Sequence, residues 1–261
     1  EVTHVLHLAA VKESPDLAMD VGVKGMFNLL EAFRSSKSAN QFILMGGDCS
    51  VGHIFHDYRD PITESAPRRA YPGCYAVTKV IEEVMLEQYQ FQYGINGCCL
   101  RAPWIMEKDD FRHVLSFKAQ FGGPSWKDLL PQAEISRHIA DGAIPLLRGQ
   151  DGAPLRRNFV HVSDLVSAIL AALDNPAAKG QLFNISMDRP GGYAEIAAHL
   201  KATRQLPVTD IATPYFSNWL SNAKAGLLLD WHPLVDTKHL IEKAWSYVRA
   251  DNDPRTVWYP G

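Results

Sequence analysis

Apolar positions fall into two rhythms along this chain, and their alternation predicts a parallel sheet with crossover helices. VLHLAA (5–10) is a short apolar run followed by turn-forming residues, the pattern of a strand buried on both faces. From Met19 to Phe33, apolar Val23, Met26, Phe27, Leu30 and Phe33 recur at helical spacing, with Lys24 and Glu31 off that stripe. QFILMGG (41–47) predicts the next strand, ended by two glycines. Residues 57–73, rich in Pro, Arg and Asp, predict a loop, and loops of that length inside compact domains are usually functional. Tyr75 to Tyr93 predicts a long helix with Val77, Val80, Ile81, Val84, Met85 and Tyr89 apolar. GINGCCLRAPWI (94–105) predicts another strand. This β-α-β-loop-α-β order belongs to the α/β class.

After Ile105 the rhythm breaks: residues 106–155 mix charged, aromatic and Gly/Pro segments, as an inserted lobe would. Residues 158–175 return to a strand and an apolar helix, with Asp164 favourably placed at the helix start. LFNIS (182–186) is a further strand, and 188–261 reads as helical with an irregular GLLLDWHPLV stretch. No repeat or low-complexity segment interrupts the chain.

Composition narrows the classes. With 46% hydrophobic and 21% charged residues the chain is an ordinary globular one, and a net charge of −3 carries no basic signature for nucleic acid or anionic membranes. No apolar run approaches the roughly 18–20 residues that span a bilayer, and Glu1 opens directly on a strand pattern without a signal-like start. Cys49, Cys74, Cys98 and Cys99 show no CxxC spacing and read as free thiols of a reducing cytoplasm. His53 and His56 lack the Cys or carboxylate spacing of a metal site, so no metal is expected.

The chemistry concentrates at Tyr75-Ala-Val-Thr-Lys79. Tyr75 and Lys79, four apart on a helix, share one face. An ammonium beside a phenol favours the phenolate and lowers the Tyr pKa toward the range of a working acid/base.

HVLHLAA, VKGMFNLLEAF, PITESAP followed by YAVTK, LRAPWI, RRNFVHVSDLVSAI, FNIS and LDWHP stand in this order along almost the whole chain. Together they resemble the extended short-chain dehydrogenase/reductases of the NAD-dependent epimerase/dehydratase type. The resemblance implies a Rossmann-type doubly wound parallel sheet with a smaller mixed substrate lobe. The dinucleotide-binding domain would take residues 1–105 and 156–187, and the lobe 106–155 and 188–261. The implied cofactor is NAD or NADP, lying against Leu8, Ala9 and Ala10, with Ala102, Pro103 and Trp104 approaching the nicotinamide. Lys79 would hold the nicotinamide ribose, and Tyr75 would exchange a proton with the substrate. Arg157 stands where relatives bind a sugar diphosphate, a task that suits a guanidinium fork. The implied activity is Tyr-assisted hydride transfer on a sugar, sugar nucleotide or related polyol. The implied assembly is a homodimer through helices at about 19–35 and 75–93, each apolar on more than one face.

Three departures from the family pattern stand out. Gly47 occupies the position of the catalytic Ser or Thr, leaving Ser50 as the nearby hydroxyl. Asp48 stands where dehydratases carry an acid, and is assigned to the substrate side with Arg157. Gly22 stands where the family helix carries Asn. The Gly-rich phosphate loop that opens the family fold is not among these residues, so the chain reads as a fragment, its Rossmann-type sheet N-terminally incomplete. The glycines favour an alternative: a catalytically weakened dinucleotide-binding sensor of the same fold.

Overall fold

The computed structural model describes residues 1–118 and 125–253. In chain order the elements are β1 His4–His7, α1 Pro15–Leu17, a π-helical segment Ala18–Gly25, α2 Met26–Ser35, β2 Gln41–Gly47, α3 Cys74–Tyr93, β3 Gly97–Ala102 and β4 Trp104–Met106. The lobe segment holds α4 Asp110–Val114, α5 Trp126–Leu129, α6 Gln132–Ala140 and β5 Ile144–Arg148. Then follow β6 Arg156–Arg157, β7 Phe159–His161, α7 Val162–Ala172, β8 Gln181–Asn184, β9 Gly191–Gly192 and α8 Tyr193–Arg204. The chain closes with β10 Val208–Ala212, α9 Ala223–Leu229 and α10 Thr237–Ser246.

Four parallel strands form the main sheet in the order β1-β2-β3-β8. All seven residues of β2 are buried, as expected for a strand covered on both faces. On one face, Phe42, Leu44 and Cys99 pack against Met26, Leu30 and Phe33 of α2 and Leu86 and Tyr89 of α3. On the other, Ile43, Met45, Cys98 and Leu100 pack against Leu165, Ala168 and Ala172 of α7. The α/β expectation is therefore met, with helices on both sides of a parallel sheet.

Several boundaries differ from the sequence expectation. The first strand ends at His7, and Leu8, Ala9 and Ala10 run on past it, exposed. The strand anticipated over 94–105 is split at Pro103, which has no N–H for a ladder. Its first half pairs with β2 and β8, while β4 leaves the sheet to pair with β7. The helix expected from Met19 contains the π-helical stretch Ala18–Gly25 before α2 begins. No strand was anticipated in the tail, yet β10 pairs in parallel with β5, joining residues from 106–155 and 188–261 around one apolar cluster.

The loop over 57–73 is pinned rather than loose. Ile62 bridges to Leu220, the Arg69 N–H donates to the Ser50 carbonyl at 2.8 Å, and Arg68 reaches Glu83 at 3.1 Å.

Candidate active site

The loop delivers the chain to α3 through Gly73, whose φ of 156° and lack of a side chain permit the turn; a Cβ there would meet Glu13 Oε1 at 2.8 Å. Gly94, left-handed at φ 64°, closes the helix by donating to the Gln90 carbonyl. Tyr75 thus sits in the first turn of a long, firmly capped helix, and Lys79 one turn later points at the sheet. The Lys79 ammonium donates to the Met45 carbonyl at 3.0 Å and to Glu82 Oε2 at 2.8 Å. A Cβ built on Gly47 would lie 3.8 Å from the Tyr75 hydroxyl. Phenol and ammonium therefore both gather at the C-terminal end of β2. Leu8, Ala9 and Ala10 extend from the neighbouring strand, whose His7 is paired with Leu44. An ammonium has three N–H groups; two of those of Lys79 are donated to Met45 and Glu82.

Lys12, which the sequence reading passed over, belongs to this end. Its Nζ lies 4.7 Å from the centre of the Tyr75 ring. Burial lowers its pKa to about 8, against the opposing pull of Asp48 and Glu13. The only signal available in the sequence was its position two residues after HLAA.

At the other end stands a second cluster. His53 Nδ1 lies 2.6 Å from Asp48 Oδ2, and Arg157 Nη2 lies 2.5 Å from His53 Nε2. This pattern requires Nδ1–H on His53 and a bare Nε2 accepting from the guanidinium, a neutral imidazole in one tautomer. Burial lowers the His53 pKa in the same sense, and the Arg157 charge assists. The guanidinium lies 3.8 Å from the centre of the Trp104 ring, which also stacks on His53. Asp48, His53 and Arg157 are all buried, Arg157 at 1% exposure. The structure thus brings Asp48, Arg157 and Trp104 together, with His53 as the link. His53 was considered in the sequence only as a metal ligand, and no metal-holding group of His, Cys, Asp or Glu is found among the described residues.

Ser50 is turned away from both ends. Its hydroxyl is 2.7 Å from Glu83 Oε1 and 2.9 Å from the Gly47 carbonyl. Glu83 in turn accepts from Arg101 at 2.8 and 3.1 Å and from Arg68, so Ser50 is part of a buried ionic knot beneath α3. The space beside Gly47 is taken by a thiol instead: a Cβ there would lie 2.9 Å from Cys49 Sγ. Burial pushes that thiol far up, keeping it protonated. Ala102 and Pro103 are buried at the end of β3, next to Gly47 across the ladder.

Comparison with known proteins follows this geometry. Residues 1–106 match the NAD dependent epimerase/dehydratase family. The resemblance read from the motifs stands on that match. UDP-glucuronate 4-epimerase 3 of Arabidopsis thaliana is 26% identical over 219 residues, covering 81% of this chain and 46% of its own length. The chain spans about half the length of the curated relatives it matches. Among solved structures, a short-chain dehydrogenase/reductase superfamily protein from Agrobacterium tumefaciens with bound NAD superposes at a TM-score of 0.78. It is 23% identical, over 93% of this chain and 78% of that one. UDP-glucuronic acid 4-epimerase from Bacillus cereus, in complex with NAD, superposes at 0.71 with 21% identity, over 95% and 73%. At these identities the structural matches establish the Rossmann-type fold. No helix among the described residues is long and apolar enough to cross a membrane.

Proposed function

We propose that this chain carries the reacting centre of an NAD(P)-dependent enzyme that epimerises or oxidises a sugar nucleotide, with an acidic UDP-sugar as the first substrate class to try. The observation that carries this reading is the convergence of Tyr75 and Lys79 on the C-terminal end of β2, one turn apart on α3. Open α/β sheets bind ligands outside the carboxyl ends of their strands. The residues fit a dinucleotide: small Ala9 and Ala10 lie exposed beyond β1, the Lys79 ammonium lies at the end of β2, and Ala102, Pro103 and Trp104 wall the neighbouring strand end. When bound, the nicotinamide supplies a hydride acceptor.

The chain's own residues do the rest. Tyr75 takes or returns the proton of the reacting hydroxyl, and the positive charges of Lys79 and Lys12 favour its phenolate. At the opposite end the guanidinium of Arg157, fixed by Trp104 and His53, supplies positive charge for the substrate's acidic groups, with Asp48 holding His53 in place. The hydroxyl that relatives place at Gly47 is replaced by the Cys49 S–H, a weaker donor, while Ser50 holds Glu83. Two copies pair through the face that leaves Phe27, Val77, Val84 and Phe91 exposed.

Incubation with NAD and UDP-glucuronate, followed by NMR of the sugar protons, tests the reading. Appearance of the 4-epimer or an oxidised product supports it. Unchanged sugar across uronate and hexose nucleotides, with NAD still bound, transfers the case to the weakened dinucleotide-binding protein, which Gly47 favours.

A further inference from the structure

Glu82 lies one turn beyond Lys79 on α3 and is 1% exposed. Its Oε2 accepts from the Lys79 ammonium at 2.8 Å, while its Oε1 is buried without a hydrogen-bond partner. Facing that oxygen is Gly22, in the middle of the π-helical segment Ala18–Gly25. A Cβ built on Gly22 would come 3.2 Å from Glu82 Oε1 and 3.1 Å from Thr78 Cβ. The bare glycine therefore makes the room the carboxylate occupies, and π-helical turns gather at functional sites.

A carboxylate with an unused oxygen in such a place is costly for the fold. Burial raises its pKa, and only the Lys79 charge pulls it back. Lys79, 3% exposed, is in the mirror position: a buried ion is costly unless an opposite charge lies against it. The surrounding groups do not supply that charge. His7 comes from β1, and Lys12 from the segment after it carries like charge. Asp48 is bonded to His53, and the Cys49 thiol is protonated. Glu83 is engaged by Arg101 and Arg68, and Asp20 and Lys24 of the π-helical segment are exposed. Among the described residues, Glu82 is the carboxylate bonded to Lys79.

We propose that Glu82 is a positioning residue that holds the Lys79 ammonium at the end of β2 beside which the Tyr75 hydroxyl lies, a role that rests on Tyr75 and Lys79 being the reacting pair. It acts through Lys79 and does not touch the substrate. Gly22 is its complement, since a Cβ there would press on the carboxylate and on Thr78.

The test is the phenolate absorbance of Tyr75 against pH, isolated as the difference between the protein and its Tyr75→Phe counterpart. In Glu82→Gln, Lys79 loses its carboxylate partner and is no longer fixed at the end of β2. The Tyr75 transition then moves up by about one pH unit, roughly a tenfold weaker acid. Glu82→Asp keeps most of the original transition. Gly22→Ala, which crowds the carboxylate, moves it part of the way, and serves as the readout if Glu82→Gln does not fold. An unmoved transition in both variants overturns the proposal. So does a downward one, which would mean that Glu82 had been neutralising Lys79. The titration uses no substrate, so inactivity toward sugar nucleotides with this titration intact would sink the functional reading alone.

Discussion

In the Tyr75 cluster, the side chains come from one helix: Tyr75, Lys79 and Glu82 follow at i, i+4 and i+7 on α3 and meet the end of β2. At the Arg157 end, Trp104, Arg157, Asp48 and His53 arrive from β4, β6 and the turn after β2, up to 109 positions apart (157 − 48). The first end is built by helical spacing and the second by tertiary assembly. Their chemistry differs accordingly. The first gathers a phenol with two ammonium groups, while the second holds a neutral imidazole and a guanidinium in a fixed array. If, as proposed, the first is a proton-transfer centre and the second a binding anchor, they respond to mutation in opposite kinetic terms.

The sharpest way to break this comparison is at Tyr75 and Arg157. Tyr75→Phe removes the phenol proton and is expected to lower kcat by about 10²–10⁴ with KM little changed. Arg157→Leu removes a charged donor and is expected to raise KM roughly ten- to hundredfold, with the smaller effect on kcat. Steady-state kinetics on the two variants check both. Equal effects on kcat would merge the two ends into one machine.

That difference in construction is also why residue spacing showed the first cluster, whereas Asp48, Arg157 and Trp104 came only through the family resemblance and His53 was missed. The i, i+4 spacing made Tyr75 and Lys79 visible, and the apolar run 42–45 of β2 and the alternation of elements around it made the sheet visible. His53 gave no comparable signal, because its partners Asp48 and Arg157 meet it only through the fold. Ser50 shows the reverse: a hydroxyl near Gly47 in sequence that the turn after β2 commits to Glu83. Glu82 was hidden by its neighbour, since nothing in the order of residues tells which of Glu82 and Glu83 faces Lys79. The π-helical stretch and the β5–β10 pairing were equally illegible, one set by packing of Gly22 on α3, the other by long-range pairing.

A smaller effect sharpens the account of Gly47. Adding a hydroxyl there does not simply restore a donor, because the new Cβ meets Cys49 Sγ at 2.9 Å. Gly47→Ser alone should destabilise the protein by about 1–3 kcal/mol through overpacking. Gly47→Ser with Cys49→Ala should recover most of that loss in thermal or urea unfolding. A fully stable single variant would show that the thiol moves aside freely.

For Lys12 the sign of the expected change is fixed. Its pKa is about 8 in the fold against 10.5 in an unfolded chain. Between those values the unfolded chain binds more protons, so stability rises with pH across that window and is lowest below it. Lys12→Met should therefore stabilise the protein near neutral pH, with the advantage fading as pH rises through that window. Denaturant midpoints measured on either side of it check this, and a constant gap would place the Lys12 charge in water.

The most direct test of Tyr75 as the proton-transferring group is the rate at which bound NAD is reduced by a sugar nucleotide, measured by absorbance in a single turnover. The intact protein should show reduction, and Tyr75→Phe should slow it by about a hundredfold or more while still binding the sugar. Reduction at an undiminished rate in Tyr75→Phe would contradict the account.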